Sequence, residues 1–262
     1  MPHVLDGCYW KLDRAAEHID SFDSESERFL AAKPFAVTPQ VNAEGTRCVY
    51  WFEPTVDPPP RLSLLIGDCV ANLKSALDRF AYQVSVLAGR NALTSVQFPI
   101  FTSEREFRDP QRGQRMMRDI KHATARTLIE DLQPFHRPSS ERATHPLALL
   151  DRLCTIDQYR LMPLARPYAV AVRINGGDAL YSLPSKPFGK KRVIAALPAH
   201  APPEVVPADV VAPRLALAFN ADHIPYTGES AARVLRLCGT AVLGVLLEAQ
   251  RRGLFPERAA AD

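Results

Sequence analysis

The stretch at 61–88, RLSLLIGDCVANLKSALDRFAYQVSVLA, constrains the fold more than any other part of the chain. Its apolar residues recur every three or four positions, the period of one helix face: Leu62, Ile66, Cys69, Leu73, Leu77, Phe80 and Val84. Gly89 follows it and is suited to a C-terminal cap. The pattern predicts one long amphipathic helix, whose apolar face must pack against other elements.

Four more segments have the helical period, at 8–32, 115–133, 146–162 and 229–251. Over about 165–220 the period becomes that of strands, and Asn175-Gly176-Gly177-Asp178 is typical of a hairpin turn. A short strand is also predicted at 48–54. This order predicts an α+β fold, a mainly helical bundle with an inserted small antiparallel β-sheet and a closing C-terminal helix. Because the last helix must bury its apolar side against the earlier ones, we expect a single domain over 1–262.

Composition excludes several classes of protein. The formal net charge of +3 lacks the strong excess of a DNA-wrapping protein, so no DNA-specific signal is present. The five cysteines show no Cys-x-x-Cys pair and no metal-ligand spacing with the seven histidines, which predicts reduced packing residues and no metal. Nucleotide-cradle motifs are missing, and no cofactor is expected. Without a signal sequence or a run of about 18 apolar residues, we expect a cytoplasmic protein that does not enter membranes.

A second pattern on the long helix is polar. Five residues follow steps of four, three, four and three, which aligns them in one stripe: Asp68, Asn72, Ser75, Arg79 and Tyr82. Lys74 and Asp78 flank this stripe. A solvated face is one interpretation. Short Asn, Ser and Asp are indifferent helix formers, however, so a stripe buried against polar partners is the other.

The helix predicted at 146–162 carries two charges on its apolar side. Asp157 and Arg160 are in phase with its leucines, whereas Asp151 and Tyr159 fall on the opposite, polar side. An unpaired buried charge is costly, but residues three positions apart can pair with each other. The pair is either a structural clamp onto the long helix, against Asp68, Asn72 or Ser75, or part of a polar cleft where the guanidinium binds a phosphate.

A basic segment lies between Arg105 and Arg126, with seven basic residues against three acids. Such a segment is either an RNA-facing patch or a solvated surface. Aromatic residues that could stack on bases are scarce within it, apart from Phe107.

Two segments, IGDCVANLKSALDRFAYQV and HPLALLDRLCTIDQYRLM, resemble a widespread group of uncharacterised bacterial helical proteins. The similarity extends to FPIF at 98–101 and to Gln133-Pro134-Phe135, and covers most of residues 8–165. The Arg-x4-His spacing in the group's first segment is similar to the signature of HEPN-type domains. The resemblance implies a HEPN-like helical dimer with RNA as partner. Many such proteins are metal-independent RNases in toxin, defence and RNA-processing systems.

This chain departs from that signature at two positions. Lys74 stands where the group has Arg, and Arg79 stands where it has His. A lysine can still contact a phosphate as a point charge, but an arginine cannot exchange a proton near neutral pH and cannot act as a general base. The candidate catalytic residues are Lys74, Asp78 and Arg79. The candidate binding residues are Asp68, Asn72, Ser75, Tyr82, Asp157, Tyr159 and Arg160.

Three functional hypotheses follow. The first is a HEPN-like RNA- or nucleotide-binding protein, or an RNase homologue with an altered site. The second is a non-catalytic interaction or regulatory protein that uses the β-sheet region as its partner surface. The third is a small-molecule enzyme with a polar pocket between the two main helices, lined by Asp68, Asn72 and Arg160.

Overall fold

The structure is a computed structural model that describes residues 3–87, 89, 96–159, 164–168, 171–174, 180–182, 192–198, 208–211, 214–218 and 230–256. In chain order the elements are α1 (Asp6–Ala31), β1 (Phe35–Val41), β2 (Arg47–Pro54), α2 (Pro60–Val86), α3 (Glu104–Arg108), α4 (Gly113–Met117), α5 (Ala123–Asp131), α6 (Pro146–Tyr159), β3 (Leu164–Tyr168), β4 (Ala171–Ile174), β5 (Leu180–Ser182), β6 (Arg192–Pro198), β7 (Ala208–Val211), β8 (Arg214–Ala218) and α7 (Ala231–Arg251). These ranges are mainly helical, with antiparallel strands and a closing C-terminal helix, which confirms the α+β prediction at that level.

The long helix predicted from the apolar period is α2. All seven residues of its predicted apolar face are buried, each at most 1% exposed. Gly89 has a positive φ of +75°, and its N–H donates to the carbonyl of Val86 at 2.9 Å. Glycine adopts this left-handed conformation without a steric penalty, so the predicted cap is confirmed.

The chain divides into two compact units. The helical unit comprises Met1–Asp20, Leu65–Met162 and Val234–Asp262, and the sheet unit comprises Ser21–Leu64 and Pro163–Arg233. The single domain expected over 1–262 stays a prediction.

The strands of the sheet unit form three small antiparallel sheets, with strand orders β1-β2-β6, β3-β8 and β5-β4-β7. In the first sheet, Phe35 of β1 lies opposite Pro54 of β2, and Cys48 of β2 lies opposite Leu197 of β6. The predicted strand at 48–54 is confirmed by β2. Strand β1 was not predicted, because Pro39 and the irregular alternation of 35–41 obscure its period. The sheet is therefore not confined to an insertion at 165–220, and the predicted turn at 175–178 lies outside the described residues.

The single helix predicted over 115–133 is wrong, since α4 ends at Met117 and α5 begins at Ala123. Arg126 explains how the chain tolerates the break. Its guanidinium donates to the carbonyls of Met117 and Ile120, at 2.7 and 3.0 Å. Carbonyls at a helix end need such donors when the helical hydrogen bonds stop.

The core of the helical unit packs α1, α2, α6 and α7 around apolar side chains. A Cβ at Gly239 of α7 would lie 3.8 Å from Leu73 of α2, and the Tyr9 hydroxyl of α1 donates to Gln250 of α7 at 3.0 Å. All five cysteines are free and buried. Burial raises the pKa of Cys69 and of Cys238 to about 12, which keeps both thiols protonated and suits the packing role predicted for them.

Within the described ranges, every helix is too short or too polar to serve as a membrane span.

Candidate functional site

A cavity of about 330 Å³ lies in the helical unit beside α2 and α6. Its charged lining residues are Lys74, Glu106, Arg112 and Asp151, and its larger apolar lining residues are Phe98, Ile100, Phe101 and Met116. This volume is at the lower end of the range of roughly 300–1,000 Å³ that small-molecule sites occupy. The cavity therefore has the size and the mixed lining of a site for one small ligand.

An ion pair on α2 fixes the lysine at this cavity. The Nζ of Lys74 donates to Oδ1 of Asp78 at 2.5 Å, and the same oxygen accepts the backbone N–H of Phe98 at 2.9 Å. The two side chains are only 14% and 29% exposed, so water screens this pair less than an ordinary surface pair. Asp78 thus joins α2 to the wall formed by Phe98 and holds the ammonium in place.

Gln133 holds the segment 97–102, which forms that wall. Its side chain is buried, with Oε1 accepting the N–H of Phe101 at 2.9 Å and Nε2 donating to the carbonyls of Pro99 and Ile129, each at 2.9 Å. Sequence reasoning missed this role. The wall contacts join residues 32 and 34 positions apart, which no local pattern reveals.

A second charged pair at the cavity, Glu106 and Arg112, comes from α3 and the turn that follows it. Ser103 caps α3, with its Oγ accepting the N–H of Glu106 at 3.5 Å. The carboxylate of Glu106 does not return to Ser103, because it pairs with Arg112 at 2.5 Å. Gly113 lets the chain turn here, since its backbone lies directly against that of Phe107.

Asp151 of α6 is predicted on the polar side of its helix, opposite the leucines, and the structure places the cavity on that side. The side chain is half-buried and lines the cavity with Lys74. Burial raises the pKa of Asp151, Lys74 lowers it to a smaller extent, and Asp78 raises it. The helical phase alone does not reveal the cavity, because it identifies one buried face, whereas α6 meets neighbours on two sides.

The polar stripe of α2 lies toward α1. Lys11 of α1 donates to Oδ1 of Asn72 at 2.9 Å, and Nδ2 of Asn72 donates to the carbonyl of Asp68 at 2.8 Å. The guanidinium of Arg79 is 3.4 Å from the position a Cβ would take on Gly7. The stripe is thus partly buried against polar groups of α1, and its residue Asp68 also lies near Asp157 of α6.

The structure therefore separates the candidate catalytic residues. Lys74 and Asp78 are in contact at the cavity, whereas Arg79 is exposed and lies beside the start of α1. Ser75 and Tyr82 are half-buried, and the carbonyl of Tyr82 accepts the hydroxyl of Ser85 at 2.7 Å.

Asp157 points toward α2, as its helical phase predicted. Its Oδ1 would lie only 2.6 Å from a Cβ built on Gly67. Burial, and then the charge of Asp68, raise the pKa of Asp157. The clamp of the Asp157 and Arg160 pair onto Asp68, Asn72 or Ser75 stays a prediction, although Asp157 itself approaches α2 at Gly67.

Two of the candidate binding residues cannot be assigned contacts. Arg160 lies outside the described residues, and of Tyr159 only the backbone, at the last position of α6, is described. The pairing of Arg160 with Asp157 stays a prediction.

We expect Gly67→Ala to destabilise the protein by about 1–2 kcal/mol, because the new methyl overlaps the Asp157 carboxylate. In an Asp157→Ala background the same change should instead stabilise by about 0.5–1 kcal/mol, the usual gain when alanine replaces glycine inside a helix. Urea denaturation of the four proteins measures this sign reversal.

Gly244→Ala is the matched control, because a Cβ there meets nothing within 4 Å in the interior of α7. It should stabilise the protein in both backgrounds. Equal effects of Gly67→Ala with and without Asp157 would contradict the close approach of α6 to α2.

Several arginines of the basic segment at 105–126 form ion pairs or hydrogen bonds within the protein. Arg108 pairs with Glu104 and Glu130, and Arg112 pairs with Glu106. The guanidinium of Arg126 donates to the backbone carbonyls of Met117 and Ile120. The RNA-facing patch and the solvated surface both stay predictions for this segment.

Among the described residues, no group of three or more His, Cys, Asp or Glu side chains is arranged to hold a metal ion. No protein-family model, curated protein or solved structure matches the chain. The HEPN-like family and its dimer therefore stay predictions, and the cavity is the feature from which function is inferred.

Proposed function

We propose that the protein is a HEPN-like RNA- or nucleotide-binding protein that holds a phosphate at Lys74. The observation that carries the proposal is the cavity itself, in which a shielded ammonium faces a ligand-sized space beside aromatic side chains. The resemblance supports it, because Lys74 occupies the position of the phosphate-contacting arginine.

The donors at the cavity suit a phosphate. An ammonium has three N–H donors, and Asp78 takes one from Lys74. The guanidinium of Arg112 has five N–H donors, of which Glu106 engages one nitrogen. Both cations thus retain donors for phosphate oxygens, and such charge-assisted hydrogen bonds are among the stronger ones in proteins.

The apolar lining suits a base. Phe101 is half-buried at the cavity, and Phe98 and Met116 add apolar surface beside it. Aromatic side chains provide stacking surface for bases in single-stranded and free nucleotides. The volume of about 330 Å³ suits one nucleotide rather than several, so an RNA would insert a single residue.

Binding is favoured over cleavage by the placement of Arg79. The residue lies beside α1, apart from Lys74, and cannot serve as a general base. The homodimer that the resemblance implies belongs to the same proposal.

We expect Lys74→Met to weaken nucleotide binding by about ten- to hundredfold, because it removes the charge-assisted hydrogen bonds while keeping the apolar stem of the side chain. Isothermal titration with mononucleotides and with a short labelled RNA, at low salt, measures the affinities. Thermal unfolding of each variant verifies that it is folded.

Lys121→Met is the matched control, since Lys121 is exposed and does not line the cavity. Its affinity should stay within about twofold of the unmodified protein. No binding of any mononucleotide or RNA to the unmodified protein would reject the proposal, and so would equal losses in the two variants.

A further inference from the structure

Asp151 differs from the other charged groups at the cavity in its partners. Lys74 is paired with Asp78, and Arg112 is paired with Glu106. In the part of the chain that the structure describes, no side chain or backbone N–H donates a hydrogen bond to the Asp151 carboxyl. The carboxyl is half-buried at the cavity, and the charge of Lys74 offsets only part of its desolvation cost.

A ligand that donates N–H hydrogen bonds to this carboxylate would therefore bind with higher affinity than a ligand without such donors. Two oxygens of one carboxylate match two parallel N–H groups in a bidentate arrangement, which is both strong and geometrically selective. The burial that raises the pKa of Asp151 also strengthens such bonds, because the surroundings are less polar than water.

Among the common bases, guanine alone presents two adjacent N–H donors, N1–H and N2–H, on its Watson–Crick edge. Adenine and cytosine place an acceptor nitrogen beside their amino group, and its lone pair would face a carboxylate oxygen. Uracil flanks its one N–H with two carbonyls. The aromatic ring of Phe101 and the apolar side chain of Met116, both in the cavity lining, are suited to contact with a planar heterocycle.

We propose that the cavity selects guanine nucleotides, with the Asp151 carboxylate accepting N1–H and N2–H of the base while Lys74 holds the phosphate. This inference rests on the proposed nucleotide binding and adds the identity of the base. Asp151 is a binding residue in this scheme and takes no part in a bond-forming step.

The test compares the affinities of GMP, IMP and AMP for the full chain by isothermal titration calorimetry. IMP is guanylate without the N2 amino group, so it isolates one of the two hydrogen bonds. GMP should bind about tenfold or more tightly than AMP, with IMP between them. In Asp151→Asn, which keeps the side-chain shape, the GMP preference over AMP should fall to about twofold or less.

Asp13→Asn is the matched control, because Asp13 is exposed on α1 and does not line the cavity. It should keep the GMP preference. If Asp151→Asn does not fold, the comparison of GMP with IMP in the unmodified protein still decides.

Equal affinities for GMP, IMP and AMP would overturn guanine selectivity and leave nucleotide binding intact. A GMP preference that persists in folded Asp151→Asn would also overturn it. No binding of any of the three would reject the proposed function, and guanine selectivity with it.

Discussion

Replacing Gly113 with alanine is expected to destabilise the protein by about 3 kcal/mol or more, because the added methyl would overlap backbone atoms. A Cβ at this position would lie 2.2 Å from the carbonyl oxygen of Phe107 and 2.5 Å from its Cα. A side-chain neighbour could rotate away, but backbone atoms cannot move without shifting α3 against α4. The free energy of unfolding, from urea denaturation, measures the effect.

The same substitution should weaken ligand binding in the protein that remains folded. Gly113 follows Arg112 directly, and a shift of this turn displaces Arg112, Glu106 and Met116 from the cavity. Gly244→Ala is again the control, since it adds the same methyl in open space. A Gly113→Ala protein as stable as the unmodified one would show that α3 and α4 do not approach each other as closely as described.

Replacing Gln133 with alanine is expected to destabilise the protein by about 2–5 kcal/mol, because it leaves buried backbone groups without partners. The Phe101 N–H and the Pro99 carbonyl would lose their hydrogen bonds to the amide, and water has little access where the side chain is only 2% exposed. The loss should also free the segment 97–102 from the cavity wall. Urea denaturation measures the stability, and amide hydrogen exchange at Phe101 measures the local opening.

Gln111→Ala provides the comparison, because Gln111 is an exposed glutamine in the same unit. Its stability should change by less than about 0.5 kcal/mol. If Gln133→Ala and Gln111→Ala were equally stable, the amide of Gln133 would not be holding the wall.

Both substitutions act on the same cavity through different elements. Gly113 positions the pair of Glu106 and Arg112, and Gln133 positions the wall that contains Phe98 and Phe101. Neither residue needs to contact a ligand to affect its binding. The ligand affinities of folded Gly113→Ala and Gln133→Ala variants measure how much the positioning of the site contributes. The affinities of the Lys74 and Asp151 variants measure the contribution of the proposed direct contacts.

Local pattern predicted the long helix well and the candidate site only in part. The face from Leu62 to Val84 is buried as expected, and Asp157 points toward α2 as its phase required. Lys74 and Asp78 are together as their spacing of four suggests. The partner of Asn72 was not predictable, because Lys11 lies 61 positions away on another helix.

The sequence by itself determined the features that depend on residues close to each other along the chain. These are the α+β class, the buried face of α2, and the end of that helix at Gly89. The tertiary structure alone decided which polar groups share the cavity. The helical phase of Asp151 is that of a solvated residue, but in the fold the side chain lines the cavity. Gln133 holds the cavity wall because the fold brings the carbonyl of Pro99, 34 positions away in sequence, to its side-chain amide. Desolvation depends on all the surrounding atoms, and one helical period reports on only one side of a helix.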